Sequence, residues 1–133
     1  MRPKLIFGGC HKDERGIVKF NNDFNMSFIK RMYTIENNTS NSIRGWQGHK
    51  IEQRWFIASR GSFQIDVKPI IAFENENSSQ EILSFKLLSN SLDVLHIPAG
   101  LVTCIRSLEK NAQLLAFSDF ELGEVKDEWR FTL

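Results

Sequence analysis

No stretch of this chain repeats apolar residues at helical spacing over a useful length. Short runs rich in β-branched and aromatic residues recur instead, set between Gly, Asn and Ser, which is the sequence signature of strands and turns. They fall at residues 4–7, 16–20, 27–35, 49–59, 62–67, 82–87, 93–97, 101–108 and 113–118. The cleanest alternates Phe63, Ile65 and Val67 with Ser62, Gln64 and Asp66, so one face of that strand turns inward. Arg60-Gly61 before it reads as a hairpin turn, because Gly supplies the positive φ such turns need. Residues 21–25, 36–42 and 74–80 are polar loops too short to link domains. Residues 119–128 are acidic with room for one helical turn, which Gly123 disfavours. Many short strands at close spacing predict an all-β antiparallel sandwich or small barrel, an architecture able to enclose a pocket.

The 133 residues, 41% hydrophobic and 25% charged, suit one globular domain over 1–133. Lys and Arg number 17 against 16 Asp and Glu, a net charge of +1. A non-specific nucleic-acid binder needs a clear basic excess, so no nucleic-acid partner is expected. The apolar run at the N-terminus is too short for a signal peptide, and no later stretch could span a bilayer. A cytoplasmic protein without membrane contact is therefore expected. Cys10 and Cys104, the only cysteines, then read as free thiols.

The most unusual stretch runs from Ser42 to Phe56. If it is extended, parity puts Gln47, His49, Ile51, Gln53 and Trp55 on one face. Arg44, Trp46 and Lys50 fall on the other, unless a bulge near Gly45 or Gly48 re-aims them. Two readings of the first face stay open. It lines a wet pocket, where a ligand or ordered water satisfies the polar groups, or it simply faces solvent.

The pattern Arg44-Gly45-Trp46-Gln47-Gly48-His49-Lys50, followed by Gln53, resembles sugar-nucleotide cupins. It is most similar to the WxcM-like dTDP-4-keto-6-deoxyglucose 3,4-ketoisomerases, and more distantly to the dTDP-4-dehydrorhamnose 3,5-epimerases. Asp13-Glu14-Arg15-Gly16-Ile17 resembles the opening of both groups, and Ile29-Lys30-Arg31-Met32-Tyr33 the strand before their motif. Val94-Leu95-His96-Ile97-Pro98-Ala99-Gly100 is similar to the strand and turn that precede the second half of a cupin. The resemblance covers nearly the whole chain in order. It implies a double-stranded β-helix, a jelly-roll-like β-sandwich, in a homodimer whose N-terminal strands exchange so that Arg15 reaches the neighbouring pocket. It implies no cofactor, a nucleotide-linked deoxy sugar as substrate, and a place in surface-polysaccharide synthesis.

The chemistry so implied starts from a 4-keto sugar, whose carbonyl acidifies the C3 proton. A base removes that proton, an enediolate forms, and reprotonation at C4 leaves the ketone at C3. Histidine meets the pKa requirement of the base without unusual tuning, which assigns the role to His49. Tyr33, the only tyrosine, is the donor to the enediolate oxygen, or else a half-buried sheet aromatic. Arg15 and Arg44 match positions suited to a diphosphate, whose oxygens fit the fixed guanidinium fork. Gln53 and Trp55 complete the expected substrate contacts, with Trp46 or Trp55 available to stack on the base. Arg31 and Lys50 are expected as solvated strand-edge charges, His96 as a satisfied core histidine and His11 as exposed.

Departures from the family pattern carry information too. Gln47 stands where the ketoisomerases carry the first of two histidines and the epimerases carry their base. An amide donates hydrogen bonds but exchanges no proton near neutral pH, which weighs against 3,5-epimerase chemistry. A sugar-nucleotide or glycan-binding cupin without catalysis is the alternative. Gln47, His49, Gln53 and Gly61 approximate the spacing of a metal cupin. Amides are poor ligands for zinc or iron, however, and Glu52 has the opposite parity, so no metal site is expected.

Overall fold

The computed structural model describes residues 2–39, 42–75 and 81–132. Residues 40–41 and 76–80, in two of the predicted loops, lie outside the described residues. The strands are β1 (Lys4–Ile6), β2 (Gly9–Asp13), β3 (Gly16–Phe20), β4 (Arg31–Ile35), β5 (Ile43–His49), β6 (Arg54–Arg60) and β7 (Ser62–Pro69). After a single helical turn, α1 (Ile71–Glu74), come β8 (Leu83–Leu88), β9 (Val94–Ile97), β10 (Leu101–Ser107), β11 (Gln113–Ser118) and β12 (Trp129–Arg130). Two five-stranded sheets form, in the orders β1-β9-β6-β11-β4 and β12-β5-β10-β7-β8, while β2 and β3 pair only with each other. Every pairing is antiparallel.

The core lies between the two sheets. Phe56 and Leu114 from one meet Phe63, Ile65 and Ile105 from the other. The alternation at β7 places Phe63, Ile65 and Val67 at 0–2% exposure, with Gln64 and Asp66 outside. Full burial of each such side chain contributes about 1.5–3 kcal/mol. A second apolar layer, Trp46, Ile70, Val102 and Cys104 with Phe73 and Phe131, covers the outer face of the β5–β10 sheet. Phe73 and Phe131 stack there at 4.4 Å.

Four sequence-based expectations change. The run at residues 49–59 is two strands in different sheets, because residues 50–53 carry the chain from β5 across to β6. Arg60-Gly61 is likewise a corner between sheets rather than a hairpin, although Gly61 does adopt φ 74°. Within residues 27–35 only β4 is extended, and residues 119–128 form no helix but an irregular cover. The strand β2 and the short β12 escaped detection because neither alternates clearly: Gly9-Cys10-His11-Lys12-Asp13 is mostly polar, and Trp129-Arg130 is two residues long.

Gly48 is required where β5 meets β10. A Cβ at that position would lie 2.1 Å from the carbonyl oxygen of Leu101, so only glycine permits the contact. Next to it the register shifts between Thr103, opposite Gln47, and Ile105, opposite Arg44. Gly45 and Trp46 thus share one partner position, a bulge that turns Arg44 to the same cavity wall as Gln47.

Candidate active site

His49 is the last residue of β5, 9% exposed, at the floor of a cavity of about 800 Å³. That volume falls within the range of small-molecule sites. Strand residues Arg31, Tyr33 and Gln47 line it together with Glu52, and the segment from Leu122 to Trp129 closes it. A smaller cavity of about 200 Å³ adjoins it, sharing Tyr33 and Gln47 and adding Arg44, Arg54 and Thr103.

The imidazole is held through one nitrogen. His49 Nδ1 lies 2.8 Å from the main-chain oxygen of Asp127. A carbonyl can only accept, so Nδ1 carries the hydrogen and Nε2 keeps its lone pair. Burial and then the Arg54 guanidinium hold the ring below the ordinary histidine pKa, against the opposing pull of Glu52 and Asp127. The neutral, proton-accepting form therefore prevails at neutral pH.

Asp127 organises the chain break after β5. Its carboxylate accepts the backbone N–H groups of Lys50 at 2.9 Å, Ile51 at 2.7 Å and Glu52 at 2.8 Å, and the Trp129 indole N–H at 3.2 Å. Burial alone pushes that carboxyl up, but the three backbone N–H groups and the indole hold it below the usual aspartate value. Residues 50–53 leave the strand without orphaned donors for this reason.

Two further charged groups flank the imidazole. Glu52 is 7% exposed; it accepts hydrogen bonds from Arg31 at 3.0 Å and from the Ser118 hydroxyl. Arg54, 4% exposed, donates to the Gln47 carbonyl at 3.2 Å and lines the smaller cavity with Tyr33. The Arg31 guanidinium lies 5.0 Å from the Tyr33 ring centroid, and its Nε is buried without a partner among the described residues. Gln47 donates its side-chain amide to Glu128. No group of three or more His, Cys, Asp or Glu side chains is placed to hold a metal ion among the described residues.

Of the residues singled out in the sequence, His49, Tyr33 and Gln47 meet in the main cavity and Arg44 lines the adjoining one. Gln53 and Trp55 do not line either cavity. Parity counted through a continuous strand placed them beside His49, but the crossing at residues 50–53 resets it. Trp55 packs with Ile57, Val94 and Phe117 and stacks on His96 at 4.9 Å. Gln53 donates its backbone N–H to Asp119 at 2.8 Å and pairs with His96 Nε2 at 2.7 Å. Arg15 sits at the turn of the β2–β3 hairpin, exposed and paired with Asp13 at 2.7 Å, and lines neither cavity. Arg31, expected in solvent, is part of the cavity wall. Lys50 stays at the surface over Trp129 and beside Glu74, and His11 is exposed. Glu52, Arg54 and Asp127 were not picked out as site residues. A carboxylate and an arginine flanking Gln53, in a run with no turn residue, were the available signal for the first two.

Two antiparallel sheets packed face to face, with a strand-borne histidine in a cavity beside Arg31, Tyr33 and Glu52, define a cupin. The chain belongs to the WxcM-like, C-terminal family (FdtA), which it matches over residues 4–129. No curated protein matches it in sequence. Its fold is similar to that of a His-to-Asn mutant of the 3,4-ketoisomerase QdtA from Thermoanaerobacterium thermosaccharolyticum, in complex with TDP-4-keto-6-deoxyglucose. The TM-score is 0.72 at 21% identity, over 97% of this chain and 87% of that one. A 3,4-ketoisomerase from Helicobacter canadensis gives a TM-score of 0.67 at 22% identity, over 93% and 87% of the two chains. The dTDP-4-dehydrorhamnose 3,5-epimerase of Bacillus anthracis, with TDP and PPi bound, gives 0.74 at 14% identity, over 94% and 76%.

Proposed function

We propose that this cupin is a cofactor-independent isomerase that converts a dTDP-linked 4-keto-6-deoxyhexose into its 3-keto isomer. The observation that carries the reading is the Nδ1 bond of His49 to the Asp127 carbonyl. It leaves Nε2 as proton acceptor on a ring that shares a cavity with Tyr33. Nε2 takes the C3 proton, and the electron pair moves into the C3–C4 bond while charge develops on O4. Tyr33, which shares the smaller cavity with Arg54, donates to that oxygen; preorganised donors of this kind supply much of an enzyme's rate enhancement. The imidazolium then returns its proton to C4 while the O3 hydroxyl proton passes to O4 through the Tyr33 hydroxyl, so that the carbonyl forms at C3 and O4 ends as a hydroxyl. One base serving both carbons suits a site in which Gln47 cannot exchange a proton.

Arg44 suits a diphosphate oxygen, and the unpaired Arg31 Nε is a donor for an oxygen of the bound sugar nucleotide. The hairpin β2–β3 is bonded to neither large sheet and exposes Ile17 at 54% and Val18 at 62%. This supports a homodimer in which the arm lies on a second copy and carries Arg15 to its cavity. Nucleotide-linked deoxy sugars are activated precursors, which fits a cytoplasmic role in surface-polysaccharide synthesis. No helix among the described residues is long and apolar enough to cross a membrane.

Deuterium wash-in tests the reading. In D₂O, dTDP-4-keto-6-deoxyglucose exchanges its C3 proton in the presence of the protein, and His49→Asn abolishes the exchange. Tight binding of the sugar nucleotide without exchange identifies a binding cupin instead.

A further inference from the structure

We propose that Glu52 is a positioning residue for the isomerisation, the counter-charge that stabilises His49 once the ring has taken up the substrate proton. This rests on the isomerase reading above. Glu52 Oε2 lies 3.5 Å from His49 Nδ1. That is too long for a good hydrogen bond, and the Nδ1 hydrogen is already committed to the Asp127 carbonyl at 2.8 Å. With the ring neutral, the carboxylate gains little from it. With the ring charged, a buried anion faces a buried cation across 3.5 Å. An interaction that strengthens on passing from ground state to transition state raises kcat rather than lowering KM.

The remaining contacts of Glu52 hold it in place. Its other oxygen accepts from Arg31 at 3.0 Å and from Ser118 on β11. Its backbone N–H is fixed by Asp127 at 2.8 Å. A carboxylate 7% exposed is costly to bury unless it is paired, and here it is paired on one side only, the free side being turned to the imidazole.

The other charges near the ring set the direction of the test. Arg54 on β6 opposes protonation of His49, and Arg31 on β4 and Lys126 on the covering segment line the same cavity as further positive charges. Glu52 and Asp127 favour it, and Glu128 lines the same cavity as a further carboxylate. Removing the Glu52 charge leaves the two arginines without their buried counter-ion, so His49 becomes harder to protonate.

Glu52→Gln is the variant, because an amide keeps the size and hydrogen-bonding reach of the side chain. Its kcat falls about tenfold, the equivalent of ~1.4 kcal/mol in barrier height, while KM stays within about twofold. The acid limb of kcat/KM moves to lower pH, and so does the His49 titration followed by NMR, assigned against His49→Asn. Glu52→Asp, which keeps the charge, restores much of the wild-type limb. An unmoved limb and an unmoved NMR titration, or a defect confined to KM, overturns the proposal. Should Glu52→Gln not fold, Arg31→Gln gives the converse: the limb and the titration move to higher pH, and their failure to move is equally fatal. The NMR titration needs no substrate. A protein inert towards dTDP-4-keto sugars whose His49 still responds to Glu52→Gln overturns the isomerase reading and leaves the Glu52–His49 coupling standing.

Discussion

The imidazole of His49 and the main-chain oxygen of Asp127, 78 residues further along the chain, lie 2.8 Å apart. One residue at the end of a strand thereby depends on the segment that closes the cavity above it. That segment is tied down in turn by the Asp127 carboxylate, through the backbone N–H groups of Lys50, Ile51 and Glu52. Base and cover form a single unit.

Replacing Asp127 by Ala leaves three backbone donors without their acceptor. A loss of about 3 kcal/mol in stability is expected, seen as a lower thermal midpoint. Because the carbonyl is no longer anchored, kcat falls with it, and more than KM changes. A variant with wild-type stability contradicts the role given to the carboxylate.

Tyr33→Phe removes one hydroxyl and keeps the ring that packs under Arg31. If the hydroxyl holds the developing enediolate, kcat drops by about a hundredfold or more with little change in KM. Stability changes by only about 1 kcal/mol, the worth of one hydrogen-bonding hydroxyl. Steady-state kinetics with a dTDP-4-keto sugar decides the point, and an unaffected kcat removes Tyr33 from the mechanism.

Acid should weaken the fold in two stages. Burial holds both His49 and His96 below the ordinary histidine pKa. The unfolded chain then binds protons at higher pH than the native one. The associated stability is present above the ordinary histidine value and is lost as pH falls through it towards the native pKa values. Asp127, held low by its N–H donors despite burial, adds stability above the ordinary aspartate value that disappears on further acidification. Urea midpoints recorded at about pH 7, 5 and 3 should decline stepwise, and His96→Gln should flatten the first step. A midpoint independent of pH across the histidine range contradicts the shifts.

The exposed hairpin makes an assembly prediction. Sedimentation should give a dimer, and Val18→Asp, which puts a charge on the exposed face of β3, should give monomers with weakened catalysis. A monomeric wild-type protein rules out the arm as a donor of Arg15.

Much of the architecture was legible because strand period and turn chemistry are local. The alternation of Phe63, Ile65 and Val67 alone fixes which face of β7 is inside. His49, Tyr33 and Gln47 were legible as a set through the ordered motifs, and the cavity brings them together. Parity failed where it was carried across residues 50–53. Those residues contain no Gly or Pro to mark a break, and the break is stabilised instead by a carboxylate more than seventy positions away. The same error moved Gln53 and Trp55 into the site and left Glu52 outside it. The short β12 and the covering segment have no periodicity of their own, and their place follows from side chains that bind elsewhere, such as Asp127.

The acceptor that selects the tautomer of His49 belongs to the peptide unit and not to a side chain. All twenty amino acids would supply that oxygen at position 127, so no point substitution can delete it. Genetic variation there can shift the acceptor by loosening its anchor, but the lineage carries the atom itself as an invariant of the polymer.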